Sequence, residues 1–183
     1  ATELHVLYIN DTHGAILEDG NRMGLLNIAS YIDYIEHTQD NVLFMSGGDL
    51  LQGSLLSNYF YGAPVIEALN MMGHEAFTLG NHEFDWGLDI VLDYFNGNHE
   101  IQANYPLLAA NLFYTGTETQ PEGIEPYTIV TRGDLKIGII GTIGYGLESS
   151  IATSRVTGYE FRDPVTYVSY YANYLRTNED VDL

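Results

Sequence analysis

Three apolar runs in the first half of the chain each break off in a cluster of small and polar residues, and each is followed by a helical stretch. LHVLYIN (4–10) stops at Asn10-Asp11-Thr12-His13-Gly14, NVLFMSGGD (41–49) at Gly47-Gly48-Asp49, and AFTLG (76–80) runs into Asn81 and His82. Strands that alternate with helices are joined by crossovers, and crossovers lay strands parallel in one sheet. The expectation is therefore an α/β fold with a largely parallel sheet. The first run, mostly apolar along its whole length, reads as a strand buried on both faces. A helix over 23–38 places Leu25, Ile28, Ile32 and Ile35 on one face, with weaker helical stretches at 55–61 and 64–72.

Further along, a helix over 86–96 is expected to bury Leu88, Val91, Leu92 and Phe95 and to stop at Gly97. PLLAANLF (106–113) reads as a fourth strand, and 115–126 as a loop rich in Thr, Gly, Pro and Glu. YTIVTR and LKIGIIG form a hairpin that turns at Gly133 and Asp134. The last helix starts with Asp163 as N-cap and Pro164 in its first turn, with Val165, Val168, Ala172 and Leu175 as its apolar stripe. Residues 180–183 look like the entry to another strand. One unit spanning 1–183 is expected, with no complete second domain.

Charge and cysteine count remove several classes of function. With 25 acidic against 6 basic residues the formal charge is −19, and the six cations are scattered singly. Polymeric nucleic acid and anionic membranes are repelled by such a surface. There is no Cys, so thiolate nucleophiles, zinc knuckles and disulfide scaffolds are excluded. No run approaches the roughly 18 apolar residues of a membrane span, and the opening ATELHV lacks a charged and apolar leader.

The polar clusters carry the chemistry. In extended chain Asp11 and His13 project to the same side and can reach one point in space; the plainer alternative is a capping turn with an exposed His. Gly47 and Gly48 allow a sharp turn and close approach at Asp49. Asn81 offers a neutral oxygen and His82 an imidazole, while Asp85 either orients that imidazole or caps the next helix. Open α/β sheets bind ligands at the carboxyl ends of their strands, where all three clusters fall. Asp11, His13, Asp49 and Asn81 together form an inventory suited to hard divalent cations, and Asp49 has two oxygens with which to bridge a pair of them.

In this order, Asp11-Thr12-His13, Gly48-Asp49 and Gly80-Asn81-His82-Glu83 resemble the calcineurin-like metallophosphoesterases. The strings Thr12-His13-Gly14, GNHEFDWG (80–87) and Ala110-Asn111-Leu112 are similar to the 5'-nucleotidase branch, which includes UDP-sugar hydrolases and 2',3'-cyclic-nucleotide phosphodiesterases. The resemblance implies a layered metallophosphoesterase-type fold and two divalent metal ions, with Mn, Zn, Co, Mg and Ca all compatible with parts of the donor set. It further implies that Asp11 and His13 bind one metal, Asp49 bridges both and Asn81 binds the second. His82 would help bind and neutralise the phosphoryl group with Asp85 orienting it, and Asn111 would either support the ligands from behind or be structural. The nucleophile would come from solvent, the substrate would be a nucleotide or related phosphate ester, and the location would be secreted, periplasmic or cell-surface.

The chain also departs from that pattern. The branch supplies further His ligands from later strands, including a Gly-His-x-His segment, yet no His follows His99 here. The expectation is the first half of such a domain, weak or inactive alone, whose partner is the missing C-terminal part, with base recognition lying outside this chain. The alternative is a non-catalytic binding or adhesion module that kept the fold and lost half of the site. Gly97-Asn98-His99-Glu100 repeats the 80–83 string but follows a helix, so it reads as punctuation. Arg132-Gly133-Asp134 reads as a turn rather than an adhesion tripeptide.

Overall fold

The computed structural model describes residues 2–20 and 22–183; Ala1, the first residue of the opening ATELHV, lies outside them. Five strands form a parallel sheet in the order β1 (His5–Ile9), β2 (Val42–Ser46), β3 (Ala76–Thr78), β4 (Leu107–Leu108) and β6 (Ile124–Glu125). The register aligns Ile9 with Ser46, Ser46 with Phe77 and Thr78 with Leu108, so the polar clusters that follow β1, β2 and β3 emerge side by side.

Helices cover one face of this sheet. α1 (Leu25–Thr38), α2 (Leu55–Tyr59), α3 (Ala63–Met71) and α4 (Leu88–Leu92) bury Leu25, Ile32, Val65, Ile66, Leu69 and Val91 in one core with Phe44, Phe77 and Leu107 of the strands. The first two N–H groups of α1, Leu25 and Leu26, donate to the carbonyls of Ala15 and Ile16 at 2.8 and 3.0 Å, which fixes the β1–α1 loop to the helix start. The alternate strand residues Leu43, Ala76 and Leu108 face the opposite way, against Ile137 and Ile139 of a hairpin, β7 (Tyr127–Arg132) and β8 (Leu135–Ile140). At its tip Arg132 pairs with Glu75, and its Nε donates to the Val42 carbonyl. The Arg-Gly-Asp string is thus a turn whose arginine is committed to the start of β2 and to Glu75 just before β3.

Several expectations change. β1 is not buried on both faces: it is the sheet's edge, the hairpin lies over β2, β3 and β4, and Val6 and Tyr8 are 47% and 57% exposed. The helix expected over 86–96 ends at Leu92, after which tight three-residue bonds such as Phe95 N–H to Leu92 C=O carry the chain to Gly97, which is left-handed as expected. The run 106–113 is two strands in different sheets. Buried Asn111 bends it by donating to the Ile143 and Arg162 carbonyls at 2.8 and 2.7 Å, and β5 (Leu112–Tyr114) pairs antiparallel with β9 (Tyr159–Phe161). The loop 115–126 contains β6. Between β8 and β9 lies the short α5 (Thr153–Val156).

The final helix, α6 (Pro164–Asn178), begins as read, with Asp163 accepting from Val165 N–H at 3.1 Å. Its stripe is only half used: Leu175 packs over Gly138 of β8, while Val165 is 69% exposed. Leu183 runs beside β8, accepting from Gly138 N–H at 2.9 Å. Among the described residues no helix is long and apolar enough to cross a membrane.

One polar group lies deep in the core. His74 is buried, its Nε2 3.0 Å from Ser46 Oγ and its ring edge-on to Phe44 and Tyr105, while its Nδ1 has no hydrogen-bond partner among the described residues. The adjacent Glu75 is held by Arg132. Burial lowers the His74 pKa from 6.5 to about 3. The unfolded chain therefore binds a proton at His74 that the folded chain refuses, so stability is lost as pH falls from 6.5 toward 3. Urea unfolding of the wild type should show a falling midpoint across that range, with a shallower pH slope in His74→Leu. Equal slopes would exclude His74 as a source of acid lability.

Candidate metal centre

The loops after β1 and β2 are zipped together by backbone. Asp11 N–H donates to Gly48 C=O (3.1 Å), His13 N–H to Asp49 C=O (3.1 Å) and Gly14 N–H to Leu50 C=O (2.7 Å). Thr12, between the two candidate ligands, turns inward and donates to the Leu50 carbonyl; Asp11 and His13 come together not in the expected extended chain but in left-handed backbone. His13 Nε2 lies 3.6 Å from Asp11 Oδ1, a spacing two ligands of one cation adopt at bond lengths of about 2 Å. His13 Nδ1 is 3.1 Å from the Gln52 carbonyl. Donation of the Nδ1 proton there leaves the Nε2 lone pair facing Asp11.

Asp11, His13 and Asp49 all have left-handed backbone, with φ of 53°, 48° and 56°. Such conformations are unfavourable by about 1–3 kcal/mol each and persist only where the surroundings over-determine them. Here the zipper provides that, together with a carboxylate that sequence reasoning left without a role. Glu83 is fully buried in the 3₁₀ turn His82–Phe84. Its Oε2 accepts from Asp49 N–H and Gly80 N–H, both at 2.9 Å, and its Oε1 from Leu50 N–H (3.0 Å) and Leu51 N–H (3.3 Å). Burial pushes its pKa up to about 7, against the pull of those donors. The only signal in the sequence is a Glu wedged between His82 and an apolar Phe.

The third loop closes on the second. Asp49 Oδ1 accepts from His82 N–H at 2.8 Å, and a Cβ on Gly48 would lie 2.5 Å from the Gly80 nitrogen. Only glycine lets these backbones approach. His82 and His13 meet edge to face, ring centroids 4.9 Å apart. His82 Nδ1 is 2.8 Å from Asp85 Oδ2, so Asp85 orients the ring; the helix that follows has Gly87, not Asp85, at its N-cap. Burial disfavours charge on His82, but the bond from Asp85 and the charges of Asp85, Asp49 and Glu83 outweigh it and raise its pKa. Asn81 sits at the start of the turn with its side chain free of any cap bond.

The arrangement matches a known family along most of its length. Residues 4–169 fit the model of the calcineurin-like phosphoesterases. This chain belongs to that family. The chain is 35% identical to a snake venom 5'-nucleotidase of Naja atra over 96% of its own length and 34% of that protein's. It is 28% identical to the human 5'-nucleotidase, covering 32% of it. A 5'-nucleotidase precursor from Thermus thermophilus has the same fold, with a TM-score of 0.81 at 24% identity over 98% of this chain and 35% of that one. The chain therefore spans about a third of the length of the curated relatives it matches.

Among the described residues no three His, Asp or Glu side chains form a finished cation cage. Asp11 and His13 approach each other and Asp49 meets the His82 N–H in the turn that Asn81 opens; the chemistry of this set, carboxylate and amide oxygen with imidazole, fits hard divalent ions. The repeat at 97–100 does not join them: His99 bonds its own loop at Ile101 N–H and packs on Tyr94. Glu83→Gln, which keeps the shape but loses one acceptor oxygen, should lower stability by about 1–3 kcal/mol. Urea denaturation at pH 8 measures this, and unchanged stability would show that the clasp is dispensable.

Proposed function

We propose that the chain carries part of the catalytic centre of a metal-dependent hydrolase acting on nucleotide phosphate esters, of 5'-nucleotidase, UDP-sugar hydrolase or 2',3'-cyclic-nucleotide phosphodiesterase type. The observation that carries this reading is the delivery of Asp11, His13, Asp49, Asn81 and His82 from three adjacent strand ends, three of them in strained backbone held by bonds made between the loops. Asp11 and His13 would hold one divalent ion, Asn81 a second, and Asp49 both. Such ions, when bound, polarise a phosphoryl oxygen and lower the pKa of water. His82, its Nδ1 engaged by Asp85, has Nε2 left to donate to the phosphoryl group. The raised pKa of His82 favours that protonated donor.

Four donors shared between two ions form an open set, and the family members with these names are about three times as long. We infer that residues beyond this stretch complete the site in the whole protein, and that its place is secreted, periplasmic or cell-surface, as the names of the venom relatives suggest.

Calorimetry with Mn and Zn tests the reading. Both should bind, weakly, and Asp49→Asn should reduce affinity by about tenfold or more. Binding that is absent, or untouched by Asp49→Asn, would favour a module that kept the fold without the chemistry. Hydrolysis of a nucleoside monophosphate by the isolated chain should be slow or undetectable; vigorous metal-dependent turnover would show that these residues suffice.

A further inference from the structure

The carbonyl of His13 accepts twice. Ser54 N–H donates to it at 2.8 Å, and Arg22 Nη1 reaches it from the β1–α1 loop at 3.3 Å. Gly53 leaves room for both, since a Cβ there would lie 2.4 Å from the same oxygen. Arg22 is itself held. Its Nη2 pairs with Asp19 Oδ2 at 2.9 Å, its backbone N–H donates to Asp19 Oδ1 at 3.1 Å, and Asp19 N–H returns a bond to the Arg22 carbonyl at 3.2 Å. Arg22 also lines a cavity of about 170 Å³ together with Asn10, Asp11 and Thr12. Such an ion pair contributes little to stability, because its side chains are 41% and 42% exposed. A guanidinium alone in that cavity would oppose the cation that Asp11 is proposed to hold; Asp19 cancels its charge. The pair is therefore suited to fixing geometry at small electrostatic cost to a neighbouring cation.

Resting on that proposed function, we infer that Arg22, neutralised by Asp19, is a positioning residue for His13. It fixes the left-handed residue that carries the imidazole, φ 48°, and so sets where Nε2 meets a divalent ion. A lysine at this position keeps the charge and the partner Asp19, but its single ammonium lacks the planar fork that reaches Asp19 and the His13 carbonyl together. The fork, rather than the charge, is what the role requires.

Calorimetry with Mn, and proton–nitrogen correlation spectra of the histidine rings recorded without metal, test this. Arg22→Lys should weaken Mn binding about tenfold and leave the urea midpoint unchanged. Asp19→Asn combined with Arg22→Gln removes the pair without altering net charge, and should lose as much. In both proteins the His13 ring resonances, assigned with His13→Gln, should shift or split, while those of buried His74 stay in place. An Arg22→Lys protein that binds Mn as the wild type does would show that only charge is used, and would overturn the positioning role. Unmoved His13 resonances would overturn it as well, whether or not Mn binds. A urea midpoint that falls in step with Mn affinity would assign the pair to folding instead. A wild type that binds no Mn, with His13 resonances still displaced by Arg22→Lys, would sink the metal-centre reading and leave the brace standing.

Discussion

A single buried carboxylate organises the end of the sheet where the candidate centre lies. Glu83 accepts four backbone N–H groups, three from the loop after β2 and one from the loop after β3. Four donors without partners in a site closed to water would each be costly, and one buried carboxyl group satisfies them all. The clasp brings Asp49 beside His82, and through the zipper between the first two loops it sets where Asp11 and His13 stand. The residues proposed to carry the chemistry are thus positioned by this interaction together with their own bonds, His82 N–H to Asp49 and His13 N–H to the Asp49 carbonyl.

Strain and charge follow from the same arrangement. Asp11, His13 and Asp49 adopt backbone that favours glycine, and they gather negative charge at one end of the molecule. Neither is favourable alone. A divalent cation, as proposed, would answer the charge, and the bonds between the loops maintain the backbone without it. Gly48 and Gly80 serve the same end, since a side chain at either would force the loops apart.

The remaining layers explain which surfaces are finished. The hairpin seals the middle of the sheet through Leu43, Ala76, Leu108, Ile137 and Ile139, with Arg132 and Glu75 locking its tip. It does not reach β1, whose Val6 and Tyr8 face outward, and α6 uses only the C-terminal part of its apolar stripe. The unsealed edges belong to a chain that spans about a third of its relatives' length.

Local pattern carried much of this fold. Apolar runs ending in Gly, Asp, Asn and His marked three strand ends, and Asp163-Pro164 marked a helix start, because each is a property of neighbouring residues; Asp11 and His13 do approach each other, but in left-handed backbone rather than the extended chain that the i, i+2 spacing assumes. What needed tertiary structure was whatever depends on residues far apart. Glu83 reads as one more acidic residue until the loops fold around it, and Asn111 as part of an apolar strand until its amide bonds Ile143 and Arg162 across the fold. β1 reads as fully buried until the hairpin's reach decides which strands it covers. Sequence therefore determined which groups are available and on which side of their own strand they project. Convergence was decided by long-range hydrogen bonds and by the extent of each covering layer, which have no periodicity along the chain to betray them.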